Sequence, residues 1–484
     1  MKQVLITGDR SGSGKTSITL ALTALLSKNN RVQTFKVGMD YIDPSYLSAA
    51  SGRPCRNLDT FTLSEHQIRD IFHFGCRDAD IALVEGVRGL YEGADALTDT
   101  GSTASVAKIL DIPVVLVVSA QSITRSAAAL VKGFQAFDRD VQIAAVILNN
   151  VKGGSHRAKA VSAIEHYCDV PVIGAIPRME EMHLAMRHLG LVPYREGIGQ
   201  SDFTARIATI TDMIGKYVDL ERFWALMKEV PPSPEYTTLF DLPVERDVRI
   251  GIALDEVFNF YYADLFDILH AAGADCIPFS PVRDRLPAAD GYIIGGGYPE
   301  LFVSELEAND RMREDLREVS KNGSPIYGEC GGLMYLTDHM TLKKGWNDIP
   351  NDQEYQMCGV FHGETRMPSR RVVSYVEGTS VNDSPLGAAL FRGHEFHYSE
   401  VVLPRDTRYA YQLSRGIGIQ DNLDGAVIHN TLGSYTHLHP VASEGMFLHF
   451  VGLCRKNGKR SREPVKNPRV KEKTTKPITP HEKL

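Results

Sequence analysis

The sequence predicts an α/β protein built from two successive sheet units, and three observations carry that prediction. Short apolar runs of strand length alternate with segments of helical periodicity. The alternation pauses once, at the proline-bearing stretch VPPSPEYTTLFDLP over 230–243. Each unit also has a glycine-rich turn where a strand gives way to a helix: GDRSGSGKTS over 8–17 and GECGG over 328–332.

In the first unit the candidate strands are 4–7, 32–37, 81–85, 114–118, 144–148 and 172–175, with helices such as 126–137 and 156–167 between them. KQVLIT is a short apolar run suited to a buried parallel strand, and apolar residues recur at helical spacing from Ile18 to Leu26. Strand, glycine-rich turn and helix together aim backbone N–H groups at phosphate. The turn has five residues between Gly8 and the Gly14-Lys15-Thr16 triplet, one more than the common phosphate loop. Gly12, Ser13, Gly14, Lys15, Thr16 and Ser17 are expected to hold the phosphates, Lys15 as a point charge and Thr16 through its hydroxyl to Mg2+. Asp40 and Asp43 follow the second strand, at the carboxyl edge where open α/β sheets bind ligands. Glu85 ends a strand facing the loop, so Thr16, Asp43 and Glu85 form the expected magnesium set. Asn149 follows AAVILN and is the candidate reader of the nucleotide base, although an Asn there is as often a turn former.

The second unit begins at 249–255 and continues through 292–297 and 324–332 to about Leu453. Cys330 lies between a strand and an apolar helical run, in a Gly-x-Cys-Gly-Gly arrangement similar to a nucleophile elbow. A thiol exposed there can attack an amide carbonyl if a base and oxyanion donors are near. GGGYPE over 295–300 offers Gly296 and Gly297 as those donors. GSYTHLHP offers His437 or His439 as the base, and RGHEFHYSE over 392–400 supplies further His and Glu.

Composition excludes other classes. The chain is 43% hydrophobic and 23% charged over 484 residues, ordinary for a globular protein. No apolar stretch approaches the roughly 18 residues that span a bilayer, and with the first strand so early no secretory signal is expected. The seven cysteines, at 55, 76, 168, 276, 330, 358 and 454, form no CxxC pair and fit reduced thiols. The expected location is cytoplasmic. From Arg455 to Leu484 there are eleven Lys/Arg against three Asp/Glu, so +8 in this tail leaves −15 of the formal −7 elsewhere. The tail is expected to be disordered, and an acidic body argues against nucleic acid as a partner. The expected division is 1–230, a linker at 231–247, 248–454, and a basic tail at 455–484.

Several long motifs give the sequence a family resemblance: DRSGSGKT, KVGMDYIDPSY, GRPCRNLD, RHLGLVP, GGGYPE, GECGGLMYL, RGHEFHYSE and GSYTHLH. Together they resemble the glutamine-dependent a,c-diamide synthases of tetrapyrrole biosynthesis, the cobyrinate a,c-diamide synthase group. The first unit is similar to dethiobiotin synthetase, whose phosphate loop has the same extra residue. The C-terminal unit resembles a class I glutamine amidotransferase. The resemblance implies a ligase using ATP and Mg2+, with L-glutamine and a tetrapyrrole polycarboxylate as substrates and neither nucleic acid nor membrane as partner. It leaves a homodimer open. It implies Cys330 as glutaminase nucleophile, His437 as its base with His439 as fallback, and Asp40, Tyr41, Asp43 and Arg88 facing substrate. The acid usual two residues after the histidine is absent, since His439 stands there, so the orienting partner is left unassigned. Met39, where cobyrinate enzymes usually carry Pro, and Arg10 are more similar to the archaeal branch that amidates Ni-sirohydrochlorin towards coenzyme F430. Competing readings are cobyrinate a,c-diamide synthase proper, cobyric acid synthase, and a partitioning-type ATPase switch with a degenerate amidase domain.

Overall fold

The computed structural model describes residues 1–179, 186–187, 190–191, 201–231, 240 and 245–462. The first sheet runs in the order β3 (Arg56–Leu58), β2 (Val32–Val37), β4 (Ile81–Gly89), β1 (Lys2–Gly8), β5 (Val114–Ser119), β6 (Ile143–Val151) and β7 (Val172–Pro177). These neighbours are parallel, and the short strand Lys228–Glu229 adds antiparallel to the start of β1. Each of the six candidate strands is present. The sequence did not announce β3, because three residues reading Arg-Asn-Leu carry too little apolar pattern to stand out.

Strands β1, β2 and β5 are buried on both faces, which is why they read as near-continuous apolar runs. From β1 the chain steps out to β2 and β3, returns to β4, then crosses β1 to reach β5. Ligand crevices form at the carboxyl ends of strands where the order reverses in this way. Helices α1 (Lys15–Leu26) and α2 (Ile42–Ser51) both begin at that edge.

The second sheet has ten strands and changes character midway. Ala274–Phe279, Val248–Ala253, Gly291–Ile294, Ile326–Glu329 and Thr431–Ser434 pair in parallel. The sheet then continues antiparallel through Leu423–Ile428, Arg408–Arg415, Val372–Ser380 and Leu390–His397 to His437–Leu438.

The two units are joined by packing as well as by chain. One buried cluster contains Val84, Leu116 and Leu148 of the first sheet together with Ile250, Tyr411 and Phe447 of the second. Arg56 of β3 pairs with Asp264 and, at 2.8 Å, with Asp267. Tyr375 donates its hydroxyl to Asp59 at 2.7 Å, and Arg415 donates to the carbonyl of Ala94 at 3.0 Å. Residues 232–239 and 241–244 of the expected linker lie outside the described residues, as does RHLGLVP apart from 187 and 190–191. The last helix, Glu444–Arg462, carries regular structure past the expected start of the disordered tail at 455. Arg455 is held there by Asp247 at 2.7 Å and Asn457 by the carbonyl of Asp290 at 3.0 Å. Residues 463–484 lie outside the described residues. No described helix is long and apolar enough to cross a membrane.

Candidate active site

The loop between β1 and α1 lines a cleft of about 590 Å³ with Gly12, Gly14, Lys15, Thr16 and Ser17. Ser13 does not line it, being fully buried behind the loop. Gly14 has φ +94, and a Cβ there would sit 2.2 Å from Nδ2 of Asn149. That amide is committed to the loop: Asn149 Nδ2 donates to the Ser13 carbonyl at 2.8 Å. Asn149 therefore props the phosphate loop while also facing the cleft. Asp40, Tyr41, Asp43 and Arg88 line the same cleft.

The three expected magnesium ligands converge. The Thr16 hydroxyl donates to Glu85 Oε1 at 2.7 Å and to Asp43 Oδ2 at 3.4 Å. Between the acids lies a residue that sequence reasoning passed over. Lys36, 1% exposed, places Nζ 2.6 Å from Asp43 Oδ2 and 3.0 Å from Glu85 Oε1. Burial opposes its charge, but Asp43 and Glu85 outweigh burial and raise its pKa. For Asp43 burial is likewise outweighed, chiefly by Lys36, and its carboxyl is held low. Asp40 moves up through burial and the neighbouring Asp43 charge. Burial, then Lys36, lowers the pKa of Lys15. Glu85 Oε2 is buried with no protein partner. A threonine hydroxyl and two carboxylates, one of them with an unpartnered oxygen, fit Mg2+, which takes few protein ligands and completes its shell with water and phosphate. Among the described residues no set of three His, Cys, Asp or Glu side chains could hold a metal unaided.

Opposite this cleft is the cysteine turn. Parallel pairing of Ile326–Glu329 with Thr431–Ser434 brings both strand ends to one edge, and the Cys330 N–H donates to the Ser434 carbonyl at 2.7 Å. Cys330 sits at φ +49, ψ −97, a strained turn of the kind concentrated at functional sites. A Cβ on Gly332 would lie 2.0 Å from the Ile294 carbonyl, so the glycine is required by close approach of the neighbouring strand. The sulfur opens on a small cavity of about 30 Å³ that Gly297, Glu300, Phe396 and Tyr398 also line. Gly296 does not line this cavity; it packs on His437, whose Cε1 would be 2.8 Å from a Cβ there.

His437 is within hydrogen-bonding reach of Cys330, and its Nδ1 lies 2.7 Å from Oε1 of Glu329. Burial acts to lower its pKa, but Glu329 and Cys330 raise it to about 10. Asp424 fixes the approach to this residue by accepting the Tyr435 and Thr436 N–H groups at 3.0 and 2.9 Å and the Thr436 hydroxyl at 2.6 Å. His439 points elsewhere: it stacks on Tyr262 at 4.9 Å, lies 3.9 Å from Asp264, and burial depresses its pKa to about 3. His394, from RGHEFHYSE, stacks on the His437 ring at 4.7 Å.

The two cavities share a wall. Phe260 and Phe396 line both, and His394 and His437 line the larger one. The Tyr41 ring lies parallel to Phe260 at 5.2 Å, and its hydroxyl is 3.3 Å from His437 Nδ1. A thiol with an imidazole can cleave an amide by covalent catalysis, and the loop with its cations can orient and neutralise phosphates. The two cavities that offer these capabilities have Phe260 and Phe396 in common. Sequence reasoning missed Lys36, Glu329, Phe260, Phe396 and the stacking of His394. A lysine inside the buried strand VQTFKV was a usable signal, because lysine is almost never fully buried unpaired.

Comparison with known proteins adds two domain matches and a set of full-length relatives. Residues 249–444 match the CobB/CobQ-like glutamine amidotransferase domain, and residues 4–192 match the CobQ/CobB/MinD/ParA nucleotide binding domain. A protein of Methanosarcina barkeri named cobyrinate a,c-diamide synthase is 49% identical, covering 91% of this chain and 93% of its own. Its namesake from Methanosarcina acetivorans is 50% identical over the same shares. One from Methanothermobacter thermautotrophicus is 43% identical over 90% of this chain and 96% of its own.

Proposed function

Because the chain belongs to the cobyrinate a,c-diamide synthase family, we propose that it amidates the a and c acetate carboxylates of a tetrapyrrole, using ATP and the amide nitrogen of L-glutamine. The observation that carries this reading is the shared wall: His437 lines the phosphate cleft and also reaches the Cys330 thiol. The synthetase part corresponds to residues 1–230 and the amidase part to 248–454.

In the small cavity the Cys330 sulfur attacks the carboxamide carbon of glutamine, forming a C–S bond. The N–H of Gly297 faces the developing oxyanion, whereas Gly296 backs the imidazole. His437 passes the thiol proton to the departing nitrogen, the C–N bond breaks, and ammonia leaves. Water then hydrolyses the thioester to glutamate and restores the thiol. Across the wall, the phosphate loop and Lys15 hold ATP while Asp40, Tyr41 and Arg88 face the tetrapyrrole carboxylate. That carboxylate attacks the γ-phosphorus, ADP leaves, and ammonia displaces phosphate from the acyl phosphate to give the amide. The protein's part is positioning and charge neutralisation. Thr16, Asp43 and Glu85 would hold Mg2+, which when bound supplies charge neutralisation at the phosphates.

The relatives' names favour cobyrinate as the tetrapyrrole. Met39, which lines the cleft and contacts the Tyr262 hydroxyl at 3.5 Å, is the departure that favours Ni-sirohydrochlorin. We assign Ni-sirohydrochlorin as the first substrate. Mass spectrometry of products after offering both compounds in parallel tests this, and exclusive amidation of cobyrinate would reverse the assignment. The amidation itself is tested with Cys330→Ala. Glutamine-supported product should disappear while ammonium-supported product persists, and loss of both would overturn the two-site reading.

A further inference from the structure

We propose that Glu329, the residue immediately before the thiol, is the positioning residue of the glutaminase pair: it grips Nδ1 of His437 so that Nε2 is presented to the Cys330 sulfur. This rests on the amidase reading above and adds the orienting group that reading lacks. The position two residues after the histidine cannot serve, because it is His439, which stacks on Tyr262 and lines neither cavity.

Glu329 is buried, and both its oxygens are engaged. Oε1 is 2.7 Å from His437 Nδ1, while Oε2 accepts the Tyr327 hydroxyl at 2.6 Å and the Leu438 N–H at 3.3 Å. Three anchors therefore fix one carboxylate, and the Leu438 contact ties it to the backbone of the residue following the histidine. The sequence position explains why such a role is easily overlooked. Consecutive side chains of a strand point to opposite faces, so Glu329 and Cys330 should not meet the same partner. The positive φ of Cys330 breaks that alternation and lets neighbouring residues address the two nitrogens of one ring.

The other groups around the imidazole cannot replace this carboxylate. His394 stacks on it, but burial, followed by His437 and His439, drives its pKa far down, leaving it neutral. The Tyr41 hydroxyl lies 3.3 Å from Nδ1, and its pKa is raised by burial, so it brings no charge. Phe260 and Gly296 are apolar. Among the described residues Glu329 is the carboxylate in ion-pair contact with His437. A carboxylate on Nδ1 fixes tautomer and ring orientation and stabilises the imidazolium that forms during the reaction.

The test uses the full chain with Glu329→Gln, isosteric and still able to bond Tyr327, and with Glu329→Asp. Glutaminase kcat and KM, ammonium-supported amidation, and the pH dependence of Cys330 alkylation by iodoacetamide are read together. Glu329→Gln should lower glutaminase kcat by roughly 100-fold or more with little change in KM, as loss of an orienting acid does elsewhere. Onset of alkylation should move to higher pH and the alkaline fall of the glutaminase to lower pH, because His437 loses the carboxylate that raises its pKa. Glu329→Asp should recover part of the rate. Ammonium-supported amidation, which proceeds beyond the wall, should stay near wild type. A glutaminase rate within about threefold of wild type with an unmoved alkylation profile would overturn the proposal. So would parallel loss of both activities, which would mark Glu329 as a residue of the fold alone. Failure of the amidase reading would show itself separately, as glutamine-supported amidation surviving in Cys330→Ala.

Discussion

Lys36 shows how one side chain can decide the character of a cleft. Its ammonium is 1% exposed and touches two carboxylates, a geometry in which removing the cation leaves uncompensated buried charge. Lys36→Met should therefore cost about 3–5 kcal/mol in denaturant unfolding, and ATP-dependent amidation should fall with it. Unchanged unfolding would mean that Asp43 and Glu85 find another partner. Three of the residues that meet here were legible from the sequence: Thr16 from its triplet, and Asp43 and Glu85 from their places at strand ends. Lys36 was not, because a strand lysine is assigned to solvent unless the strand's burial on both faces is weighed first. Glu329 escaped for a different reason, since strand alternation places it away from its neighbour until the backbone of Cys330 is seen.

Among the elements, the phosphate loop repays its extra residue with a specific packing. Gly14 adopts φ +94 and leaves room for the Asn149 amide, which in turn holds the Ser13 carbonyl. Strand β6 thus props the loop through Asn149. Gly14→Ala would place a methyl carbon against Asn149 and strain a left-handed residue, so nucleotide affinity should fall tenfold or more, about 1.4 kcal/mol, while glutaminase persists. Calorimetric titration with a non-hydrolysable ATP analogue reads this. The strand, turn and helix order of both units was readable because apolar runs and glycine clusters are local signals. The pairing of Ile326–Glu329 with Thr431–Ser434, which brings Cys330 to His437, spans about a hundred residues and leaves no local trace.

For the whole molecule, the decisive fact is that the units share a core and an aromatic wall. Phe260 and Phe396 face both cavities, and Arg56 crosses the seam to Asp264 and Asp267. Phe396→Ala should loosen the partition without touching either set of reacting groups. The expected result is more glutamate released per amide formed, by roughly twofold or more, with ammonium-supported amidation preserved. An unchanged ratio would place the nitrogen route elsewhere. Neither the wall nor the seam was visible in the sequence, because both arise where separately folded patterns meet.

Tyr41 opens helix α2 on one side of that seam and rests on Phe260 and His437 from the other. Making the halves as separate polypeptides would bare a sticky ring cluster on each and leave the imidazole without its tyrosine neighbour. The continuous chain is thus more than a tether: it keeps the Tyr41 ring seated on Phe260 and His437, so that either chemistry is built with the other beside it.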